Sequence, residues 1–410
     1  MSGPIANSII TDFIDRAHEV TVAEAVDRLG LAIKRGDKGQ PCLHCGGKDR
    51  FSVNLAKQAW NCRGCSIGGR TGVGLIGFVL GLDLHRKAEL LEACATALNE
   101  TLPDEAERET DEDRAARLER MAKAKAEREA KEADRQREQD KFRQKEIDKA
   151  RGIYLNATIA PHADDELLRA YLAARTGYAM SDRVFECLRF NPRLSYWHGL
   201  DDFGRPISIY AGYAQVAPFV DLTGTVIGSH LTWIDMARAP KYRPDLGRDG
   251  KGEPLPTKKM RGAKSGGMIP LCGDMEARRW VGGEGIETVL AVAGYERFDP
   301  GTFYFAAGDL GNLAGPADRG AGKSETHVTT SGQKVRVYPF PKPDQAVSDA
   351  VQVPDHVTGL VLLADGDSEF YFTAAAMARA KARLSAPGRD INIWWPPVGM
   401  DFAGLLSGRA

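Results

Sequence analysis

The 410-residue chain lacks several features that would assign it to a broad class of protein. No run of about eighteen apolar residues occurs, so we expect no transmembrane helix. The stretch MSGPIANSIITDFIDRAHEV has neither a basic start nor an apolar core, and therefore does not resemble a secretory signal peptide. Seven cysteines, an odd number, do not suggest a disulfide framework. We therefore expect a cytoplasmic protein that does not enter a membrane.

The chain also lacks an overall excess of charge, because 55 lysines and arginines nearly balance 56 acidic residues. This balance hides two basic segments. Residues 31–75 hold eight basic and two acidic residues, and residues 235–264 hold nine basic and four acidic residues. A neutral total with basic segments is compatible with a nucleic-acid protein whose active site is acidic.

A complete nucleotide-binding P-loop is also lacking. The segment ADRGAGKSE at 317–325 ends like a P-loop, but Ala317 stands where the pattern needs glycine. No apolar strand precedes this segment either. We therefore expect no helicase or ATPase motor in this sequence, and any helicase would be a separate protein.

Four cysteines form two Cys-x-x-Cys pairs, Cys42 with Cys45 and Cys62 with Cys65, separated by sixteen residues. This spacing is typical of a zinc site in which two knuckles supply four thiolates. A closed four-cysteine site leaves no position for a reacting water, so the Zn²⁺ would be structural. His44 lies inside the first knuckle and would become a ligand only if Cys45 did not bind.

Basic and aromatic side chains lie between the two cysteine pairs. Such a mixture on a β-hairpin suits single-stranded nucleic acid, because aromatic rings stack on bases and cations neutralise phosphates. The alternative is that Phe51 and Trp60 form the small core of the ribbon, which we expect for at least one of them. The candidate nucleic-acid contacts are Lys48, Arg50, Trp60 and Arg63.

A highly charged segment extends from Asp104 to Lys149, with sixteen acidic and fourteen basic residues and neither glycine nor proline. Opposite charges four residues apart favour a solvated helix. The segment is therefore interpreted as a linker that is wholly or partly helical. Its few apolar residues do not sustain the heptad pattern of a dimeric coiled coil.

Beyond about residue 152 the pattern is that of a globular domain. Apolar strands alternate with helices through RRWVGGEG, TFYFAAGDL, GLVLLADGD and INIWWPP, which predicts an α/β layer with a largely parallel sheet. Residues 314–355, rich in small and polar residues, are interpreted as an insertion or loop. Other segments predicted are a helix at 164–180 and strands at 185–190, 207–220 and 225–234.

Three carboxylates follow apolar strands. Glu284 lies at a glycine-flanked turn that opens a helix, while Asp365 and Asp367 end another strand with their side chains on one face. In an open α/β sheet, the functional site lies at the carboxyl ends of the strands. Three carboxylates there would repel one another unless a divalent cation, Mg²⁺ or Mn²⁺, neutralised them.

These motifs resemble a known family. EGIET after one strand and DGD after a later one are similar to the Toprim domain of primases, topoisomerases and some nucleases. The form CxxCGGKDRF…WxCRGC, amino-terminal to such a domain, resembles the bacterial-type DNA primases of phages, plasmids and other mobile elements. The resemblance covers residues 20–75 and about 150–406.

The resemblance implies roles for particular residues. It implies that Glu284, Asp365 and Asp367 are catalytic and bind the metal ion, and that Asp401 in GMDFAGLL is a further ligand. Many relatives carry an aspartate four residues after the first glutamate, where this chain has Thr288. The extra Glu287, one position earlier, is therefore a weaker candidate.

Residues 152–275 resemble the basic lobe that completes the primase core. Six basic residues of this lobe could hold template phosphates or the triphosphate of an incoming nucleotide. The alternative is a solvated basic loop. These residues are Lys241, Arg243, Lys258, Lys259, Arg261 and Lys264.

The sequence thus predicts an α/β protein, α+β overall, in four segments. We expect a DNA-dependent RNA primase that makes short primers on single-stranded DNA from nucleoside triphosphates, beside a separate replicative helicase. The alternatives are a Toprim nuclease and a non-catalytic protein that binds single strands or origins. The segments are a zinc-binding domain at 1–100, a charged helical linker at 101–150, a basic lobe at 151–275 and a Toprim domain at 276–410.

Overall fold

The computed structural model describes residues 6–33, 39–102, 111–329 and 332–408. The chain divides into two compact units, Met1–Asp134 and Arg135–Ala410. Part of the predicted linker, residues 103–110, and three basic residues of the first basic segment, within 34–38, lie outside the described residues. Within the described ranges, no helix combines the length and the apolar character that crossing a membrane requires.

The first unit places a four-stranded antiparallel sheet among helices, with the strands in the order β1-β2-β3-β4. Thr21 caps the second helix, because its hydroxyl accepts from the Glu24 amide at 3.1 Å while the Glu24 carboxylate accepts from the Thr21 amide at 2.8 Å. The elements are α1 (Ala6–Glu19), α2 (Val22–Arg28), β1 (Gln40–Cys42), β2 (Gly46–Asn54), β3 (Ala59–Cys62), β4 (Ile67–Gly69), α3 (Gly72–Leu80), α4 (Lys87–Leu98) and α5 (Asp111–Leu155).

The charged segment is helical wherever the structure describes it, since α5 covers Asp111–Leu155. Its last turns belong to the second unit. The Ser229 hydroxyl donates to the Ala150 carbonyl at 2.7 Å, and the Arg151 guanidinium donates to the Val226 carbonyl at 3.1 Å. The predicted helical character is thus present, and the helix extends a few residues past the expected end at 150.

The second unit begins with a helix and a four-stranded antiparallel sheet in the order β5-β6-β7-β8. The prediction of a strand at 185–190 is wrong for residues 185–188. A 3₁₀ helix covers Asp182–Glu186, because Val184 and Phe185 turn into the core after a Ser181 cap, and the strand starts at Arg189. The elements are α6 (Glu166–Thr176), β5 (Arg189–Leu200), β6 (Pro206–Val220), β7 (Val226–Trp233) and β8 (Lys258–Gly262).

A five-stranded sheet follows, in the order β15-β14-β10-β11-β9. Four strands are parallel and β9 is antiparallel, so the prediction of a mainly parallel sheet is confirmed. The strands are β9 (Ile269–Cys272), β10 (Arg279–Gly283), β11 (Thr302–Ala306), β14 (Gly359–Leu363) and β15 (Asp390–Trp394). The helices around them are α7 (Ile286–Tyr295), α8 (Leu310–Ala314), α9 (Phe370–Leu384) and α10 (Phe402–Leu406).

Helices cover both faces of this sheet, as expected of a parallel sheet whose strands are nearly all apolar. In β10, Val281 faces the core that holds α7, while Trp280 faces the core that holds α9. Residues 314–355 are not a simple loop, because two strands, β12 (Glu325–Val328) and β13 (Lys334–Val337), form an antiparallel hairpin there.

Candidate functional site

Four thiols converge in the first unit. The sulfur atoms of Cys42 and Cys65 are 3.8 Å apart, those of Cys45 and Cys62 are 3.5 Å apart, and all four lie within 4.8 Å of one another. Zinc bonded tetrahedrally to thiolates at about 2.3 Å needs sulfurs about 3.8 Å apart. The four-cysteine cluster therefore fits a Zn²⁺ ion as it stands.

The geometry of the knuckles also agrees with ligation by all four cysteines. The amides of His44 and Cys45 point at the Cys42 sulfur at 3.4 and 3.5 Å, and the Cys65 amide points at the Cys62 sulfur at 3.4 Å. The His44 ring turns away from the cluster, since its Nε2 hydrogen bonds with the Phe78 carbonyl oxygen. His44 is thus a neighbour of the cluster and not one of its members.

The ribbon surface presents its basic side chains to solvent but buries Trp60. Lys48, Arg50 and Arg63 are exposed. Trp60 is 5% exposed and stacks on the Phe78 ring at 5.0 Å, so it belongs to the core of the unit, where it also lines a cavity of about 550 Å³. Arg63 donates to the Asp49 carbonyl at 2.7 Å, which holds this cation close to the hairpin.

The candidate catalytic carboxylates lie at one edge of the five-stranded sheet. Gly283 of β10 and Leu363 of β14 are register partners, so Glu284 and Asp365 follow neighbouring parallel strands at the same end. The Gly399 amide donates to the Gly366 carbonyl at 2.7 Å, which fastens the loop before α10 to the Asp365–Asp367 turn. The structure thereby places all of these acidic side chains at the edge that the sequence predicts.

Asp401 reaches this edge as the amino-terminal cap of α10, where its Oδ1 accepts from the Gly404 amide at 2.5 Å. Asp367 and Asp401 line a cleft of about 340 Å³, together with Lys241 and Arg175. Carboxylates and cations therefore share one open space.

Electrostatics couples the acidic residues. Burial raises the pKa of Asp365 to about 7, and the charges of Glu284, Asp367 and Asp401 add to this shift. Burial also raises the pKa of Glu284, and Asp367 adds to that shift, while Lys258 opposes it. Burial and the repulsion among these carboxylates both disfavour their charged forms, so positive charge at this edge would stabilise them.

A bound divalent cation would supply the missing positive charge, and carboxylate oxygens are the ligands that Mg²⁺ and Mn²⁺ prefer. The donor set thus fits such an ion. Within the described ranges, however, the cysteines are the only group of three or more ligand-type side chains already close enough to hold a metal ion. The carboxylates lie at one edge of the sheet and shift one another's pKa, but their oxygen atoms are not yet close enough together to bind one ion.

Glu287, the weaker candidate, lies in the first turn of α7 and is 5% exposed. It accepts hydrogen bonds from the Tyr171 hydroxyl at 2.6 Å, Arg243 at 2.7 Å and Lys258 at 3.1 Å. Burial by itself would raise the pKa of Glu287, but Lys258 and Arg243 hold it well below its usual range. The signal in the sequence was a glutamate within the apolar run IETVLAVAGY.

The basic residues of the second unit divide into separate groups. Residues of β8 alternate between faces. Lys258 points to Glu287, whereas Lys259 and Arg261 line a groove of about 730 Å³ on the other side. Arg243 is only 12% exposed at its side chain, because Glu287 holds it in the core.

Two further lysines lie apart from the groove. Lys264 forms an ion pair with Asp309, and Lys241 lines the cleft with Asp367 and Asp401. Of the six basic residues that the sequence singles out, Lys241 is thus placed beside the carboxylates, and Lys258 influences them through its charge.

No protein-family model and no curated protein match the chain. In structure it is similar to the DnaG primase catalytic domain bound to ssDNA, with 16% identity, 67% of this chain and 79% of that chain covered, and a TM-score of 0.37. A DNA primase domain from Pseudomonas aeruginosa gives 12% identity, coverages of 64% and 73%, and a TM-score of 0.33. The primase fragment of the bacteriophage T7 primase-helicase protein gives 11% identity, coverages of 90% and 94%, and a TM-score of 0.26.

Proposed function

We propose that this chain is a DNA-dependent RNA primase, which joins nucleoside triphosphates into short primers on single-stranded DNA. The observation that carries the proposal is the carboxyl end of the parallel sheet, where Glu284 follows β10, Asp365 and Asp367 follow the neighbouring β14, and Lys241 lines a cleft with Asp367. Phosphoryl transfer needs this combination, because both the cation and the phosphates must be held. The four-cysteine cluster in the first unit of the same chain supports a template-binding role for that unit.

The catalytic role falls to the carboxylates. Asp365, Asp367 and Asp401, with Glu284, would hold Mg²⁺ or Mn²⁺, which when bound polarises the phosphate and neutralises developing charge. Burial and the neighbouring carboxylates raise the pKa of Asp365, and a bound cation would lower it. Glu284 has a raised pKa, which suits it to accept the proton of an attacking 3′-hydroxyl.

Basic residues would place the substrates. Lys241, at the cleft, is positioned for the phosphates of a triphosphate, and Lys264 is close enough to lower the pKa of Glu284. Lys259 and Arg261 in their groove, and Lys48, Arg50 and Arg63 on the ribbon, would neutralise phosphates of the template strand.

Lys258 has a different task in this proposal. It forms an ion pair with the buried Glu287, and its charge also lowers the pKa of Glu284 and of Asp365. In this way it links the basic lobe to the acidic edge. We further propose that the primase serves the replication of a phage, plasmid or other mobile element and works with a separate helicase.

A primer-synthesis assay tests the function. Mixed-sequence single-stranded DNA, labelled ribonucleotides and Mg²⁺ or Mn²⁺ are combined with wild type, with the double variant Asp365→Asn/Asp367→Asn, and with Asp390→Asn. Asp390 is an exposed carboxylate at the opposite end of β15, which makes it a matched control. Short RNA from wild type and the control alone supports the proposal.

Other outcomes would replace the proposal. Metal-dependent shortening of the DNA without nucleotides, lost in the double variant, would indicate a nuclease. A third outcome is that the protein binds DNA but catalyses neither reaction, even when a helicase is supplied. If the double substitution also leaves this binding unchanged, the chain is a non-catalytic binding protein.

A further inference from the structure

A cluster of aromatic side chains lies on the surface of the second unit. Phe370 is 53% exposed and Trp395 is 39% exposed, with their ring centroids 5.4 Å apart. Tyr371 meets the edge of Phe370 at 5.6 Å, and His327 of the β12–β13 hairpin stacks on Tyr371 at 4.4 Å. We call Phe370, Tyr371, Trp395 and His327 the aromatic platform.

The platform adjoins the acidic edge. Phe370 opens α9 only three residues after Asp367. Trp395 follows the last residue of β15, whose partner across the sheet is Leu363, two residues before Asp365. The carboxyl ends of β14 and β15 therefore lie next to both the aromatic platform and the Asp365–Asp367 turn.

Packing holds the two features together. A Cβ added to Gly366 would lie 2.6 Å from the Met400 carbonyl oxygen and 3.1 Å from the Pro396 ring, so the loop after Trp395 presses directly on the Asp365–Asp367 turn. Only glycine admits this approach. The position of Trp395 relative to the acidic turn is thus fixed by backbone contact.

The rings of the aromatic platform are exposed, and they do not contribute to the packing of the core. Trp394 packs against the core of the sheet, and the next residue, Trp395, turns to the opposite side. Large exposed aromatic groups often mark binding surfaces. Aromatic rings that are open to solvent suit the face of a nucleobase, because every base has a π-face that can stack.

We propose that the aromatic platform stacks on a nucleobase of the nucleotide or strand whose phosphates lie at the acidic edge. The inference deepens the proposed function, on which it rests for the placement of phosphates. The base can belong to a free nucleoside triphosphate or to a DNA strand, and both present the same ring chemistry. A protein partner on this surface is the competing occupant.

Direct binding measurements test the platform. Wild type, Trp395→Ala, Trp395→Phe and Val398→Ala are titrated with ATP and, separately, with inorganic tripolyphosphate, both in the presence of Mn²⁺. Val398 lies in the same loop and is 90% exposed but not aromatic, so it is the matched control. Circular dichroism verifies that each variant is folded.

The expected result is a loss that depends on the base. Stacking contributes enough that Trp395→Ala should raise the Kd for ATP about tenfold. Tripolyphosphate, which has no base, should bind equally to all four proteins. Trp395→Phe should keep most of the ATP affinity, and Val398→Ala should match wild type.

A second pair of probes separates the two sources of the base. Single-stranded oligothymidylate and an abasic strand of equal length are titrated without nucleotides. A loss in Trp395→Ala for oligothymidylate alone, with ATP unaffected, assigns the platform to a base of the strand. Equal losses for ATP and tripolyphosphate, an unchanged affinity for every probe, or no binding of any probe by wild type would each overturn the proposal and favour a protein partner.

Primer synthesis with the same proteins separates this inference from the proposed function. If wild type makes primers and Trp395→Ala binds and polymerises equally well, only the platform is refuted. If wild type makes no primers but binds ATP in a way that depends on Trp395, only the primase assignment is refuted.

Discussion

The buried ion pairs of Glu287 offer a sharp test of how α7 is held to Arg243 and Lys258. The change is Glu287→Gln, which keeps the size of the side chain and removes its charge. The Glu287 side chain is 7% exposed and that of Arg243 is 12% exposed, so water cannot replace the lost partner. Arg243 already has one buried nitrogen, Nη1, without a hydrogen-bond partner.

The magnitude follows from this burial. Removing one partner of a buried ion pair and leaving the other charge in place costs about 3–5 kcal/mol. Exposed pairs contribute about 0–1 kcal/mol. The matched control is Asp182→Asn, since Asp182 also pairs with an arginine, Arg169 at 2.8 Å, but its side chain is 89% exposed.

The dependence on pH distinguishes a charge effect from a packing effect. Burial would raise the pKa of Glu287, but Lys258 and Arg243 hold the folded value well below the ordinary 4.5. The stabilising contribution is therefore present above about pH 4.5 and is lost as the pH falls through the folded pKa. The difference between wild type and Glu287→Gln should stay constant from pH 8 to about 5.5 and shrink in more acidic solution.

Urea unfolding of the full chain, followed by near-ultraviolet circular dichroism at several pH values, measures both quantities. We expect Glu287→Gln to lower the unfolding midpoint by about 1–2 M at neutral pH, given a slope near 3 kcal/mol per molar. A loss no larger than that of Asp182→Asn, or one that persists unchanged at low pH, would refute the reasoning.

Two further predictions concern the metal sites. In EDTA, Asp365→Asn should be more stable than wild type at pH 8 by up to about 4 kcal/mol and equally stable near pH 4. The reason is that the pKa of Asp365 is raised from 3.8 to about 7, so the stability of wild type falls as the pH rises between those values. Urea unfolding at both pH values checks this, and equal stability at pH 8 would contradict it. In the first unit, Cys62→Ser should lower the zinc content from about one ion per chain to nearly none and unfold the ribbon. The control Cys94→Ala removes a buried thiol outside the cluster and should keep the ion. Metal analysis after gel filtration measures the zinc content, and a full zinc content in Cys62→Ser would refute the site.

The features that depend on local pattern can be predicted from the amino-acid sequence alone. The spacing of Cys42, Cys45, Cys62 and Cys65 predicts the cluster, because each knuckle is formed by four consecutive residues. The alternation of apolar strands and helices predicts the mainly parallel sheet. The position of carboxylates directly after such strands predicts the acidic edge, because parallel strands end on the same side.

Contacts between side chains of elements that are distant in the chain are visible only in the tertiary structure. The sequence shows Lys258 and Lys259 as neighbours in one basic segment, yet β8 sends them to opposite faces, one to Glu287 and one to a separate groove. From the sequence Glu287 is the weaker candidate, because its contacts with Tyr171 and Arg243 join residues that are 116 and 44 positions apart in the chain. Charge and hydropathy along the chain carry no record of such long-range contacts, whereas strand ends and metal knuckles are written in a few adjacent residues.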